Sequence, residues 1–197
     1  MNHSEKLKQI IQKQNGTVLS ADLDAYEIPR IYLQKMVAEG QLERVGRGIY
    51  VSVNSIEDEL FAMQTKYPKL VYSHETALYL HELTDRTPFD YSVSVPSGYK
   101  VVGKVADRFK VFYIKKELHQ LGIETVSSNH GNPIIIYNIE RTICDLVRSR
   151  NRIDIQIFNE ALKRFVRLKS VDYLKLMDYA KQLRIDKSLN RYLEVLL

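Results

Sequence analysis

The chain has 197 residues, of which 45% are hydrophobic and 27% are charged, and its net charge is +5. This composition excludes a disordered or fibrous protein and predicts one large or two small globular domains. A single cysteine, Cys144, excludes an internal disulfide framework and suits a reducing compartment. The sequence has no run of roughly 18 apolar residues and no apolar core near its N-terminus. We therefore expect a cytoplasmic location and no membrane partner.

The N-terminal part of the chain predicts a helix, a short strand and two further helices. Ser, Thr and Asn residues favour helix N-caps, Pro favours the first turn, and Gly favours the position after a helix. Within the third helix, the apolar positions expected to face the core are Ile31, Leu33, Met36 and Val37. The predicted segments are a helix that Ser4 caps and Asn15-Gly16 ends, a strand at 17–19, a helix that Ser20 caps and that reaches Tyr26, and a helix from Pro29 to Gly40.

The most informative segment is 42–51, in which apolar and polar residues alternate around Gly46-Arg47-Gly48. This alternation predicts a β-hairpin that carries an arginine at its turn and pairs with the strand at 17–19. Helices followed by such a hairpin are the layout of a winged helix-turn-helix. In that layout one helix enters the major groove of DNA, and the hairpin tip touches the backbone beside it. The segment therefore indicates a DNA-binding protein.

The third helix and the hairpin carry the candidate DNA-binding side chains. Arginine binds guanine bidentately and glutamine binds adenine, whereas lysine meets phosphate. An arginine between two glycines is exposed at a hairpin tip, where it can contact the DNA backbone or minor groove. The alternative is that all of these residues belong to an ordinary solvated helix face and turn. The candidates are Arg30, Tyr32, Gln34, Lys35, Arg44 and Arg47.

The remaining chain predicts a mixed region of strands and helices. A helix is predicted at 57–67, and Ser73 caps another that ends at Leu83. The polar segment 84–90 contains a proline and predicts a linker. Strands followed by helices indicate the α+β class. The predicted organisation is a winged helix-turn-helix domain with a helical extension at 1–83, a linker at 84–90, and an α+β domain at 91–197 with strands at 91–95, 110–114, 123–126 and 134–137 and helices from Asn138 onward.

Four stretches of the sequence together resemble one known family. They are LERVGRGIY at 42–50, SHETAL running on to LTDR at 73–86, VSVPSG at 93–98 and YNIERTICDL at 137–146. In order and spacing they resemble the AbiEi antitoxins of the bacterial AbiE abortive-infection systems, which are type IV toxin–antitoxin systems. The resemblance implies an N-terminal winged helix joined to a C-terminal antitoxin domain.

The same resemblance implies function and partners. Members of this family repress their own promoter by binding inverted repeats in double-stranded DNA. They also counteract a nucleotidyltransferase-like toxin in phage defence, without forming a stable complex with it. Without the resemblance, composition and spacing predict only a DNA-binding protein with a second, basic domain.

The last quarter of the chain carries most of the positive surplus, with twelve Lys or Arg against seven Asp or Glu in 145–197. These residues are either solvated helix faces and helix ends, or a second contact with DNA or with the RNA substrate of a toxin. Arg141 and Asp145 are four residues apart and are expected to pair, and Cys144 is expected to be buried. The basic candidates are Arg148, Arg150, Arg152, Lys163, Arg164, Arg167, Arg184, Lys187 and Arg191.

Enzyme motifs do not fit the sequence. A restriction-type nuclease requires an acid at the position of Tyr113, and a nucleotidyltransferase requires Gly-Ser before the pair Asp22-Leu23-Asp24, which Leu19-Ser20 precedes instead. The histidines lack the i,i+4 spacing of a helical metal site. We therefore expect no catalytic residue, metal or cofactor. Two other functions remain open: a winged-helix regulator whose C-terminal domain senses a ligand or mediates oligomerisation, and a module that binds its toxin directly.

Overall fold

The structure is a computed structural model that describes residues 2–54, 58–101 and 108–196. The chain divides into two compact units, one formed by Met1–Pro68 with Thr125–Ile134 and the other by Lys69–Glu124 with Ile135–Leu197. Both units contain helices and strands, so the α+β class predicted from the sequence is confirmed. Within the described ranges, no helix combines the length and apolar character needed to cross a membrane.

The first unit contains a small antiparallel sheet with β3 at its centre. β3 pairs with β1 on one side and with β2 on the other, which confirms the predicted pairing of 17–19 with the hairpin. A core of buried apolar residues joins the sheet to α1 and α3 and includes Leu7, Leu23 and Tyr50. The elements are α1 (His3–Lys13), β1 (Thr17–Leu19), α2 (Asp22–Ala25), α3 (Ile31–Ala38), β2 (Leu42–Gly46), β3 (Ile49–Ser52) and α4 (Glu59–Lys66).

Two predicted helix caps are wrong. The side chain of Asn2 rather than Ser4 caps α1: it accepts the backbone N–H of Ser4, and Glu5 closes a capping box with the backbone of Asn2. No side chain caps α2, because Ser20 lies before the helix and donates its backbone N–H to the carbonyl of Gly48 at 2.8 Å. Ser20 thus connects the chain ahead of α2 to the hairpin. The predicted start of α4 at position 57 lies outside the described residues.

The predicted core face of α3 is only half right. Leu33 and Met36 are buried, at 1% and 4% exposure, but Ile31 is 62% exposed and Val37 is 36% exposed. With 3.6 residues per turn, positions 33 and 36 share one face, and position 31 lies nearly opposite to them. Packing of Leu33 and Met36 therefore turns Ile31 out to solvent.

The second unit is built on a mixed sheet with the strand order β6-β5-β4-β8-β7. β5 pairs parallel with β6, β4 pairs parallel with β8, and β4 pairs antiparallel with β5. Residues 125–134, which carry the adjoining ends of β7 and β8, group with the first unit. The elements are β4 (Val71–Tyr72), α5 (His74–Leu80), β5 (Tyr91–Pro96), β6 (Phe109–Ile114), α6 (Lys116–His119), β7 (Ile123–Ser127), β8 (Pro133–Tyr137), α7 (Ile139–Arg148), a 3₁₀ turn (Arg150–Arg152), α8 (Ile155–Phe165), α9 (Tyr173–Gln182) and α10 (Asp186–Leu196).

The two units divide before Lys69 and not after Leu83, where the sequence placed the boundary. Val71 of β4 pairs with Ser94 of β5, so this strand belongs to the second sheet. Leu78 and Leu83 are buried in the core that α7, α8, α9 and α10 form. The segment 69–83 therefore completes the second unit, since its apolar side chains have their packing partners there.

The segment 84–90 contains no helix or strand but is not a free linker. Thr84 is buried, and its hydroxyl accepts the backbone N–H of Arg86. Asp85 forms an ion pair with Arg164 of α8. These contacts attach the start of the segment to the second unit.

Candidate nucleic-acid interface

One face of α3 is exposed to solvent and consists of Ile31, Gln34, Lys35 and Ala38, which we call the α3 outer face. Gln34 makes no side-chain hydrogen bond with the described residues, and Lys35 lies 3.9 Å from Glu39 in a loose i,i+4 pair. Because Leu33 and Met36 anchor the opposite side, this face has a fixed orientation. Its amide, ammonium and apolar groups are the types that contact base edges, phosphates and thymine methyl groups.

Arg30 and Tyr32 lie at the edges of this face and already have partners. Arg30 immediately precedes α3, and its guanidinium forms an ion pair with Asp24 at 2.8 Å, with both side chains more than 60% exposed. An exposed pair of this kind contributes roughly 0–1 kcal/mol, so DNA phosphates or bases can compete for the arginine. Tyr32 is half-buried, and its ring centroid lies 5.2 Å from that of His3. Tyr32 therefore helps to pack α3 against α1.

The hairpin presents Arg47 at its tip. Pairing of Gly46 with Ile49 leaves Arg47 and Gly48 as a two-residue turn, and a register shift between Arg44 and Gly46 marks a β-bulge beside it. Arg47 is exposed and has no side-chain partner among the described residues. Arg44 is also exposed, and its Nε donates to the carbonyl of Gly46 at 3.2 Å.

Gly48 holds this turn close to the chain ahead of α2. Its φ is +77°, and a Cβ at this position would lie 2.7 Å from the hydroxyl oxygen of Ser20. A side chain there would be strained both by the left-handed backbone and by this contact. The sequence Gly-Arg-Gly thus exposes the arginine and allows the turn to approach Ser20.

The basic candidates of the C-terminal region have different surroundings within the second unit. Three of them, Arg148, Arg150 and Arg152, line one cavity, and Lys163 and Arg191 line a second, more apolar one. Arg164 is engaged in ion pairs with Asp85 and Glu160. The remaining three, Arg167, Arg184 and Lys187, are exposed.

Residues 5–53, which run from α1 through β3, match a family model described as "Transcriptional regulator, AbiEi antitoxin". The resemblance to the AbiEi-type antitoxins is confirmed over these residues. The matched segment contains the α3 outer face and the hairpin tip.

The fold also resembles a solved structure. The comparison covers 91% of this chain and 71% of the RV2827C protein from Mycobacterium tuberculosis, whose structure is a crystal structure, with a TM-score of 0.60 and 11% sequence identity. At this identity the similarity shows a shared fold. The comparison with curated proteins gave no match.

Two features of these surfaces were missed in the sequence. Ile31 belongs to the α3 outer face, and the spacing of Leu33 and Met36 already implied this position. The cavity with Arg148, Arg150 and Arg152 also includes His74 and Ser94, which are far away in sequence. No local pattern connects such distant residues.

Proposed function

We propose that the N-terminal unit is a winged helix-turn-helix that binds double-stranded DNA, with α3 as the recognition helix and the β2–β3 hairpin as the wing. The protein thereby represses the promoter of its own toxin–antitoxin operon, which contains inverted repeats. The observation that carries this proposal is the exposed α3 outer face, together with Arg47, which has no side-chain partner among the described residues, in a segment that matches a transcriptional-regulator family model.

The exposed residues have distinct proposed roles. Gln34 reads a base edge, Ile31 contacts a thymine methyl group, and Lys35 meets a phosphate. Arg47 and Arg44 contact the backbone or minor groove from the wing. Residues 1–53 hold seven basic and six acidic residues, so this unit is close to neutral in charge. Affinity for DNA therefore depends on where these cations lie and not on bulk charge.

The proposal extends to the antitoxin role. The protein counteracts a nucleotidyltransferase-like toxin in the bacterial cytoplasm as part of abortive infection by phage, and it does so without a stable complex. The match to an antitoxin family over the N-terminal unit supports this role.

A gel-shift titration with the DNA upstream of the protein's own reading frame tests DNA binding. Arg47→Ala should weaken binding to all sequences and reduce the slope of log K against log salt by about one, because one phosphate contact is lost. Gln34→Ala should weaken binding to the operator more than binding to random DNA. Lys8→Ala is the matched control, since Lys8 is an exposed cation on α1 of the same unit. Equal effects from Lys8→Ala and Arg47→Ala would rule out the wing contact.

Co-expression with the neighbouring toxin gene tests the antitoxin role separately. The Arg47→Ala variant should lose repression but still rescue growth, because repression and neutralisation are assigned to different parts of the chain. Failure of the wild-type protein to rescue growth would leave a regulator without antitoxin activity. A second candidate function, a regulator whose C-terminal unit senses a ligand, is favoured by the arginine-lined cavity of the second unit.

A further inference from the structure

The second unit contains a cavity of about 470 Å³ between the start of α5, the strands β5 and β6, and the end of α7. Three arginines that follow one another at alternate positions, Arg148, Arg150 and Arg152, form one part of its lining. Ser94 and Ser149 form another part. Its volume lies within the roughly 300–1,000 Å³ of small-molecule sites.

Among the described residues, Arg150 and Arg152 are held in place by stacking on aromatic rings and not by carboxylates. The guanidinium carbon of Arg152 lies 4.0 Å from the ring centroid of Phe112, and that of Arg150 lies 4.6 Å from the ring centroid of Phe158. Their hydrogen bonds to the protein are with backbone carbonyls, from Arg152 to Val111 at 3.3 Å and from Arg150 to Ile153 at 3.5 Å. No carboxylate among the described residues lies within ion-pair distance of either side chain. Each guanidinium therefore has N–H donors left for a ligand.

Asp145, the one carboxylate among the described residues of the lining, does not neutralise this charge. Asp145 is buried and accepts a hydrogen bond from Nε of Arg141 at 3.0 Å, while Arg148 is 3.9 Å away. Glu75 likewise pairs with Lys110 at 3.0 Å, close to the cavity. The favourable position of a cation at the end of α7 explains Arg148 alone. It does not explain why Arg150 and Arg152 are fixed against aromatic rings with their donors free.

A neutral hydrogen-bonded chain lies beside the arginines. His74 is buried and stacks on Phe112 at a centroid distance of 3.4 Å. Its Nδ1 is 2.9 Å from the hydroxyl of Ser73, and its Nε2 is 2.9 Å from the hydroxyl of Ser149. Ser94 donates its hydroxyl to Ser73 at 2.9 Å. The hydroxyls of the two serines that line the cavity are thus oriented by buried partners.

His74 has a strained backbone conformation and an uncharged side chain. Its φ is +47°, a conformation that costs energy for a residue with a side chain and that concentrates at functional sites. Burial lowers the pKa of His74 well below its usual 6.5, and the nearby Arg141, Arg152, Lys110 and Arg148 lower this pKa further. The imidazole is therefore neutral and adds no positive charge to the cavity.

We infer that this cavity binds a phosphate monoester, with Arg148, Arg150 and Arg152 on the phosphate oxygens and Ser149 within hydrogen-bonding reach. A phosphate monoester carries close to two negative charges and three acceptor oxygens, which matches three guanidinium groups better than a carboxylate does. Three guanidinium cations in the lining also disfavour a divalent metal ion. The volume exceeds that of phosphate alone, so the ester group has room against Tyr113 and Ile114. The monoester is carried either by a free nucleotide or by the end of a nucleic acid strand.

Calorimetric titration of the full chain at constant ionic strength tests this inference. Adenosine 5′-monophosphate should bind and adenosine should not, and inorganic phosphate should compete with the nucleotide. Arg150→Gln and Arg152→Gln should each weaken nucleotide binding roughly 10- to 100-fold, as expected when a hydrogen bond between charged groups is lost. Lys169→Gln is the control of equal charge change, since Lys169 is exposed after α8 and outside the cavity.

Two further measurements keep the test decisive. Nucleotide should raise the melting temperature of the wild-type protein, so the inference does not depend on variants that lose the stacking on Phe112 or Phe158 and fold poorly. A single-stranded oligonucleotide with a 5′-phosphate is compared with the same strand without it. Tighter binding of the phosphorylated strand than of both the unphosphorylated strand and the nucleotide identifies the strand end as the source, and tighter binding of the nucleotide than of the phosphorylated strand identifies the free nucleotide.

Three results would overturn the inference. They are no binding of any phosphate probe to the wild-type protein, equal weakening by Lys169→Gln and Arg152→Gln, and equal binding of the two oligonucleotides with no binding of the nucleotide. The inference deepens the second candidate function, but it does not depend on the DNA interface of α3 and the hairpin. A gel shift with operator DNA distinguishes failure of this inference from failure of the proposed DNA interface. Variants that lose nucleotide binding should still bind operator DNA, because their wing and recognition helix are intact.

Discussion

Arg141 and Asp145 form an ion pair inside the second unit, with Nε and Oδ2 3.0 Å apart and both side chains at most 2% exposed. The guanidinium also donates to the carbonyls of Leu118 and Leu121, both at 2.8 Å, and lies 4.2 Å from the ring centroid of Tyr137. Burial raises the pKa of the Asp145 carboxyl, and the adjacent Arg141 opposes that rise. The stretch at 137–146, which carries part of the family resemblance, therefore contains a buried ion pair that stabilises α7.

We predict that Arg141→Met lowers the free energy of unfolding by about 3–5 kcal/mol, because it leaves the Asp145 carboxylate buried without its partner. Urea denaturation of the two proteins measures the difference. Asp24→Ala, which removes the exposed pair with Arg30, is the comparison and should change stability by roughly 0–1 kcal/mol. Similar losses of unfolding free energy in the two variants would contradict the stabilising role assigned to the buried Arg141.

We predict that Gly122→Ala is more destabilising than Gly98→Ala. Both glycines have a left-handed backbone, with φ of +78° and +87°. A Cβ at Gly122 would lie 2.6 Å from Cβ of Arg141, whereas a Cβ at Gly98 meets no atom of the described residues within 4 Å. Both variants carry the backbone cost of about 1–2 kcal/mol, and Gly122→Ala adds an overpacking cost of about 1–3 kcal/mol. Equal melting temperatures for the two variants would show that Arg141 can move at no cost.

Local sequence patterns were enough to predict most helices and strands. The pairing between elements that are distant in sequence could not be predicted from such patterns. The hairpin at 42–51 was predictable because alternation and a Gly-Arg-Gly turn lie within ten residues. β4 has only Val71 and Tyr72, which is too short for any periodicity. Its pairing with β5 and β8 is what moves 69–83 into the second unit. The domain boundary therefore could not be read from composition at 84–90.

The same contrast between local patterns and long-range contacts applies to the candidate surfaces. Arg47 was predictable because its exposure is decided by its two neighbours. The place of Arg152 in the cavity was not predictable, because it depends on stacking against Phe112, which lies forty positions earlier in the chain. The sequence placed Arg148, Arg150 and Arg152 in one basic C-terminal face with Lys163 and Arg191, from charge, helix ends and helical spacing. In the structure the first three line one cavity, and Lys163 and Arg191 line another.

We predict that the second unit loses stability in mild acid through His74. The folded-state pKa lies below the unfolded value near 6.5, so below that pH the unfolded chain binds a proton that the folded chain does not. Stability is therefore fully present above about pH 6.5 and falls as the pH drops, by at most about 1.4 kcal/mol per pH unit for one proton.

Replacement of His74 by glutamine tests this origin. The difference in unfolding free energy between pH 7.5 and pH 5 should be smaller in His74→Gln than in the wild-type protein. The pKa of His119 is also lowered, chiefly by burial, so His119→Gln should act in the same direction and the double variant should be flatter still. An unchanged pH profile in His74→Gln would mean that His74 is already protonated in the folded protein.

We predict that Asp24 restrains Arg30 in the absence of DNA. If Arg30 contacts DNA, it must leave the 2.8 Å pair with Asp24, so Asp24→Asn should raise operator affinity. Arg30→Ala should lower it by about 1–3 kcal/mol if the arginine binds guanine bidentately. Gel-shift titrations of the single and double variants complete a double-mutant cycle, in which the gain from Asp24→Asn should disappear when Arg30 is absent. Glu27→Gln, also exposed and of equal charge change, is the control. An equal gain in operator affinity from Glu27→Gln would show that the effect comes from net charge and not from the pair of Asp24 with Arg30.

We predict that a fragment of residues 1–68 behaves better in solution than a fragment of residues 1–83. The longer fragment retains Tyr72, Leu78 and Leu83, which are at most 1% exposed in the full chain and whose packing partners lie in the second unit. Exposed together, these side chains form an apolar patch that favours aggregation. Both fragments lack Ser128 and Asn132, which hydrogen-bond to the buried carboxylate of Asp58, so α4 should fray in each while α1 to β3 stay folded.

Size-exclusion chromatography and circular dichroism of the two fragments measure this difference. The shorter fragment should elute as a discrete folded species and retain operator binding, because the α3 outer face and the wing lie within it. The longer fragment should elute in the void volume or precipitate. Adding Leu78→Glu and Leu83→Glu to the longer fragment should restore its solubility, since these changes remove the apolar patch and leave the first unit untouched. A soluble, monomeric fragment of residues 1–83 without these changes would instead place 69–83 with the DNA-binding unit.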